Sequence, residues 1–177
     1  KISQLLLCCL LPLTLASCGE ALTGGQRLTV SIEPLRYFVE NVAGDKFVVT
    51  TLVPTGASPE TYELTPQQVV EMSDSRAYFT VGTLGLEKTR LQKLTENAPE
   101  LVTVNVSDSI PLMTTDETNC TDEHHGHLHS DGVDLHTWTS TTSARAIVKR
   151  ICHALVELDS ANAAFYAHRS DSLLAHI

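Results

Sequence analysis

A dense cluster of histidines is the feature of this chain most able to do chemistry. Four of the eight histidines in its 177 residues fall within six positions, at His124, His125, His127 and His129. Neutral imidazole binds zinc well and also suits copper and nickel. Acidic residues and glycine and serine spacers surround the cluster, and such a tract cannot build a packed core. We therefore predict a loop over 120–133 that collects transition metal; the alternative is a solvated polar loop without ligands.

The amino terminus carries the pattern of a lipoprotein signal. Positions 2–15 are mostly apolar, and they are too short and too weakly flanked to span a bilayer permanently. They end in Leu15-Ala-Ser-Cys18, which looks like a bacterial lipobox. We predict a signal peptide over 1–17, lipidation of Cys18 and a tether over 18–26. The product would be a membrane-anchored lipoprotein of the cell envelope that faces the periplasm or the exterior; the alternative is an ordinary secretory signal with a chance cysteine.

The net charge of the chain and its cysteine content limit the classes of molecule that it is expected to bind. The chain carries a formal charge of −9, and loss of the signal peptide removes one lysine and no acid. This acidity argues against nucleic acid and against electrostatic attachment to anionic lipid. Outside the signal and the lipidation site, only Cys120 and Cys152 remain of the five cysteines. They could pair in an oxidising compartment, or Cys120 could supply a thiolate to the metal loop.

Strand and helix periodicities alternate along the chain from residue 28. Alternating or β-branched runs predict strands at 28–32, 46–53, 77–81 and 101–106. Helical stripes predict helices from Pro34 to Gly44, after a capping box at Thr65, over 86–96, from about 139–142 to Leu158, and on through 161–177. Strands that alternate with helices predict an α/β fold whose mostly parallel sheet is covered by helices.

Two loops of this predicted sheet carry candidate metal ligands. In open α/β sheets, ligands bind in the loops beyond the carboxyl ends of the strands. The loop over 54–63 presents Glu60 and Glu63, and the segment 134–138 places His136 just before a helix. Each residue also has an ordinary explanation, because Glu60 could be a solvated acid and His136 could cap its helix.

The order of these segments resembles a known family. The chain has Gly56-Ala-Ser-Pro-Glu-Thr-Tyr62 within 52–66, then Val81-Gly-Thr-Leu-Gly-Leu-Glu87, the acidic histidine loop, and Asp134-Leu-His-Thr-Trp138. Together they are similar to the zinc/manganese solute-binding lipoproteins of bacterial ABC importers. The resemblance implies two α/β lobes joined by a long helix, with the metal between them. It makes 27–159 the first lobe and 160–177 the start of the connecting helix, with the second lobe and its further ligands outside these residues.

The resemblance also implies which residues bind the metal. The family usually has a histidine where this chain has Glu60, and an Asp-Pro-His-x-Trp motif where this chain has Leu135 in place of the proline. His136 and Glu60 are therefore the implied ligands, and Glu63 is a candidate support for them. The histidine loop favours Zn²⁺, whereas a carboxylate ligand leaves Mn²⁺ open.

The function implied is capture of zinc outside the cytoplasmic membrane and delivery to an ABC permease, by a monomer that does no chemistry on a substrate. One alternative is a metal-sequestering or chaperone lipoprotein that acts only through the histidine loop. A secreted zinc hydrolase is the other alternative. It would need an open coordination position and a general base, and the sequence has no His-Glu-x-x-His motif.

Overall fold

The computed structural model describes residues 27–96, 98–108, 110–111 and 136–177. The predicted signal peptide, Cys18, Cys120 and the four clustered histidines lie outside these residues.

Four parallel strands form one sheet in the order β2-β1-β3-β4. The strands are β1 (Arg27–Ile32), β2 (Val48–Val53), β3 (Ala77–Thr80) and β4 (Val102–Asn105). Leu28 of the central strand pairs with Val49 on one side and Ala77 on the other. Strands β1 and β3 are buried almost throughout, as expected where helices cover both faces of a parallel sheet. The predicted α/β fold and parallel sheet are confirmed.

In the part of the chain that the structure describes, five α-helices connect and cover the strands. They are α1 (Glu33–Ala43), α2 (Pro66–Ser73), α3 (Gln92–Glu96), α4 (Thr141–Leu158) and α5 (Ala163–Leu174). Helix α1 has proline in its first turn and ends at Gly44, whose positive φ of 61° suits a residue without a side chain. Its buried stripe is the predicted one, formed by Leu35, Phe38, Val39 and Val42. No helix within the described ranges is long and apolar enough to cross a membrane.

The segment after α4 turns instead of continuing as one helix. A short 3₁₀ turn at Ser160–Asn162 separates α4 from α5, and the Asp159 carboxylate fixes this break. Its Oδ2 accepts hydrogen bonds from the Tyr166 hydroxyl at 2.6 Å and from the Asn162 side chain at 2.7 Å. Helix α5 then packs on α1 and α4, and Phe165 lies against the backbone of Gly44. The predicted helix over 161–177 is thus a separate, docked helix.

Two further boundaries differ from the predictions. The strand predicted to begin at residue 46 begins at Val48. The helix predicted over 86–96 opens with a π turn at Glu87–Leu91 before α3. Hydrophobic periodicity locates such a segment but does not distinguish a π turn from an α turn.

Candidate metal centre

The loops at the carboxyl edge of the sheet enclose one cavity of about 320 Å³. The chain leaves β1 for β2 on one side and later returns to place β3 on the other side. The connection after β1 leads to β2 on one side of the sheet, whereas the connection after β3 leads to β4 on the other side. Open α/β sheets bind ligands between two strands whose connections separate in this way. Residues following β1, β2 and β3 all line the cavity, and His136 and Trp138 complete its wall.

Glu60 lines this cavity from a loop that is stabilised by its own hydrogen bonds. Ala57 N–H donates to the Pro54 carbonyl at 3.1 Å across a turn, in which Gly56 has a φ of 88°. The Ser58 carbonyl then accepts from Tyr62 N–H at 2.9 Å. The Ser58 hydroxyl donates to Glu60 Oε2 at 2.9 Å, so the exposed carboxylate keeps a defined direction.

Gln68 braces the far end of this loop. The predicted capping box is present, since Gln68 N–H donates to Thr65 Oγ1 and Thr65 N–H donates to Gln68 Oε1. Gln68 Nε2 also donates to the Leu52 carbonyl at 2.8 Å and to the Tyr62 hydroxyl at 3.1 Å. One side chain therefore ties the end of β2, the loop and the start of α2 together.

His136 comes from a compact turn just before α4. Its carbonyl accepts from Thr139 N–H at 3.1 Å and from Thr139 Oγ1 at 2.8 Å. Its ring packs edge-on to Trp138 with centroids 5.4 Å apart. The imidazole makes no capping hydrogen bond to the 3₁₀ turn at Thr137–Thr139.

A buried carboxylate that the sequence analysis did not single out shapes the same edge of the sheet. Glu87 is 7 % exposed and accepts hydrogen bonds from the backbone N–H groups of Val81 at 2.8 Å, Gly82 at 2.7 Å and Leu84 at 3.3 Å. The Ser31 hydroxyl of β1 donates to it as well. Since Leu84 lines the cavity, Glu87 holds part of the cavity wall.

Tyr78 extends this network beneath the sheet edge. Its hydroxyl lies 2.9 Å from Ser31 Oγ and donates to it, because Ser31 gives its own proton to Glu87. Burial raises the pKa of Tyr78 well above its usual value, and the negative charge of Glu87 adds to the rise. The signal that could have found this network is the polar Ser31 near the end of a strand, together with the terminal glutamate of 81–87.

The structure brings Glu60 and His136 to one cavity and leaves Glu63 outside it. Glu63 is exposed at the end of the loop and does not line the cavity. Across the described residues, no three side chains of His, Cys, Asp or Glu lie close enough together to hold a metal ion. Within the described residues, Glu60 and His136 therefore do not by themselves complete a metal site.

Comparison with known proteins identifies the family. The sequence pattern described as ZnuA, zinc-uptake complex component A, periplasmic, matches residues 28–177. The chain belongs to this family. The resemblance drawn from the sequence motifs is thereby confirmed.

Individual relatives agree with this assignment. The chain is 32 % identical to the manganese-binding lipoprotein MntA of Halalkalibacterium halodurans, over 90 % of this chain and 50 % of that protein. It is 27 % identical to the high-affinity zinc uptake system protein ZnuA of Bacillus subtilis, over 93 % and 54 %. A zinc-bound crystal structure of a ZnuA deletion mutant superposes with a TM-score of 0.73 at 31 % identity, over 86 % and 54 %.

Two consequences follow from these comparisons. The chain spans about half the length of the relatives that it matches. Those relatives are named as metal-binding and metal-uptake proteins and not as enzymes, which argues against the hydrolase alternative.

Proposed function

We propose that this protein captures a divalent transition metal, zinc in the first place, outside the cytoplasmic membrane and delivers it to an ABC permease. The observation that carries the proposal is that Glu60 and His136 line one cavity at the carboxyl edge of a parallel sheet. Both are competent ligands for zinc. The protein acts as a monomer held to the membrane through lipid on Cys18.

Two ligands do not complete a zinc site. Zinc takes four ligands in closed sites, so at least two positions are left to water or to groups outside the described residues. We propose that the segment after Asp159 begins the helix that leads to a second lobe, which supplies the remaining ligands. The 177-residue chain alone should therefore bind metal at the cavity weakly, and a two-lobed form should bind it far more tightly.

The pair of ligand types also bears on which metal is preferred. An imidazole suits zinc, whereas a carboxylate in place of a second imidazole is a harder ligand that suits manganese better. Relatives named for each metal are known. We propose zinc because the four clustered histidines provide further imidazole ligands, which are softer than carboxylates, nearby in the sequence.

The test uses Trp138, the only tryptophan of the 177 residues, as a reporter of the cavity. Its fluorescence is titrated with buffered free Zn²⁺ or Mn²⁺ in the wild type and in four variants. His136→Ala should weaken binding more than the ~10–100-fold expected when a supporting residue is lost. Glu60→His should keep or strengthen zinc binding and weaken manganese binding, because nitrogen replaces a harder oxygen.

The matched control is His153→Ala, which removes an exposed imidazole from α4 whose ion pair with Glu157 lies away from the cavity. It should leave the titration unchanged. Deletion of 122–131 should remove additional zinc binding without changing the Trp138 response. An unchanged dissociation constant in His136→Ala would reject the ligand assignment. Loss of all metal binding on deletion of 122–131 would instead support the sequestering alternative.

A further inference from the structure

A second carboxylate, Glu33, faces the same cavity without being one of the expected ligands. It is the first residue of α1, directly after β1, and it lines the cavity together with Glu60 and His136. Its side chain is 39 % exposed, and its Oε1 lies 3.8 Å from Arg36 Nη1. Glu33 is too far from the other two for the three to form a metal-binding group.

The charge around the cavity is one-sided. Among the described residues, Glu33 and Glu60 are the only formally charged side chains of its lining, which includes no lysine or arginine. The two carboxylates give the wall two formal negative charges. Clefts lined by charge of one sign concentrate ions of the opposite sign, and the gain grows with the charge of the ion.

Arg36 determines how much of the negative charge of Glu33 is neutralised near the cavity. Its guanidinium lies between two acids and favours the other one, since Nε donates to Glu40 Oε1 at 2.7 Å. The pKa of Arg36 is raised, mainly by this hydrogen bond to Glu40 and by the charge of Glu40, with a smaller contribution from Glu33. The closer partner therefore engages the cation and leaves the charge of Glu33 less compensated.

We propose that Glu33 is a specificity-determining residue that attracts divalent cations to the cavity by its charge, without coordinating them. The inference rests on the proposed function, because it needs a cation to be captured at Glu60 and His136. It selects for ionic charge and not for the element, so zinc and manganese should gain alike. Glu60 and His136 then distinguish the metals by direct contact.

The experiment compares two substitutions that each remove one negative charge from the same helix. Glu33→Gln removes a charge at the cavity, and Glu40→Gln removes a charge of similar exposure that does not line it. The Trp138 titration is run with buffered free Zn²⁺ and Mn²⁺ in about 0.01 M and about 1 M of a weakly coordinating salt. The Debye length falls between these conditions from about 30 Å to about 3 Å.

Glu33→Gln should raise the dissociation constants of both ions about three- to tenfold at low salt and less than about twofold at high salt. Glu40→Gln should have a smaller effect, because it acts only by releasing Arg36 towards Glu33, and in an Arg36→Gln background it should have almost none. Arg36→Gln should act in the opposite direction and tighten binding at low salt, because it removes the positive charge nearest to Glu33.

Each of the following results would overturn the inference. Equal effects of Glu33→Gln and Glu40→Gln in the Arg36→Gln background would mean that the position of the charge is irrelevant. A loss that is the same at both salt concentrations, or that affects one metal alone, would indicate direct coordination by Glu33. The His136→Ala variant distinguishes a failure of this inference from a failure of the proposed function. If His136→Ala weakens metal binding and Glu33→Gln does not, the proposed function is supported and this inference is rejected. No Trp138 response to either ion would reject both.

Discussion

Replacing Glu87 should destabilise the protein more than any exposed acid does. Glu87→Gln keeps the shape of the side chain but leaves one acceptor oxygen in place of two. That carbonyl oxygen can accept hydrogen bonds only from the donors on its own side. If that oxygen faces Gly82 and Leu84, the new amide faces Ser31 and Val81. The Ser31 hydroxyl can rotate to accept, whereas the Val81 N–H cannot.

The magnitude follows from this count of hydrogen bonds. One buried N–H without an acceptor costs about 1–3 kcal/mol, and the remaining bonds lose the assistance of the negative charge. We expect Glu87→Gln to lower the free energy of unfolding by about 3 kcal/mol. Glu87→Ala removes an acceptor from all four donors, although Gly82 N–H keeps Thr80 Oγ1 at 2.9 Å and the Ser31 hydroxyl keeps the Phe79 carbonyl at 3.2 Å. Water from the adjoining cavity of about 200 Å³ can recover a further part of the loss. For the alanine variant we expect about 4 kcal/mol.

Urea unfolding followed by circular dichroism measures these differences as shifts of the midpoint at constant slope. The control is Glu40→Gln, which also removes one negative charge but breaks only an exposed ion pair, worth less than about 1 kcal/mol. A Glu87→Gln variant within about 0.5 kcal/mol of this control would refute the reasoning, since it would show that the buried donors do not need a carboxylate.

Two further predictions concern stability. Gly44→Ala should cost about 2–3 kcal/mol in thermal unfolding, because a Cβ there would lie 2.7 Å from Phe165 Cζ at a positive φ. The control Gly56→Ala has the positive φ but open space, and should cost about 1 kcal/mol; equal losses would show that the contact with Phe165 is unimportant. Because the pKa of Tyr78 is raised in the folded state, the unfolded chain loses that proton first, and stability should fall as pH rises above about 10. Tyr78→Phe should flatten this decline in alkaline urea titrations, and an unchanged slope would contradict the prediction.

Local sequence signals account well for the elements that position the cavity. The stripe of α1, its end at Gly44 and the capping box at Thr65 depend on neighbours within a few residues, and all three are confirmed. The alternation of strand and helix patterns along the sequence also predicted the parallel sheet correctly, because each pattern is local. Glu60 and His136 could be placed at one edge of the sheet because carboxyl ends of parallel strands meet there.

The features that sequence analysis missed depend on contacts between distant residues. Glu87 is held by a serine 56 positions earlier, and nothing in the periodicity of its own segment reveals this. The break before α5 depends on Asp159 accepting a hydrogen bond from Tyr166, although apolar spacing continues across it. The role of Glu33 likewise requires knowing which loops share a cavity. In each case the deciding interaction joins side chains that the sequence does not mark as partners.

The central position of β1 constrains the order in which the chain can acquire its structure. Strand β1 and strand β2 can pair as soon as α1 connects them, since their residues are close in sequence. The other edge of β1 keeps its backbone N–H and C=O groups unpaired until residues 77–80 arrive. An apolar strand with one open edge is a template for pairing with other chains. A nascent or newly exported chain that ends before β3 should therefore be prone to aggregate, and synthesis of β3 should relieve this tendency.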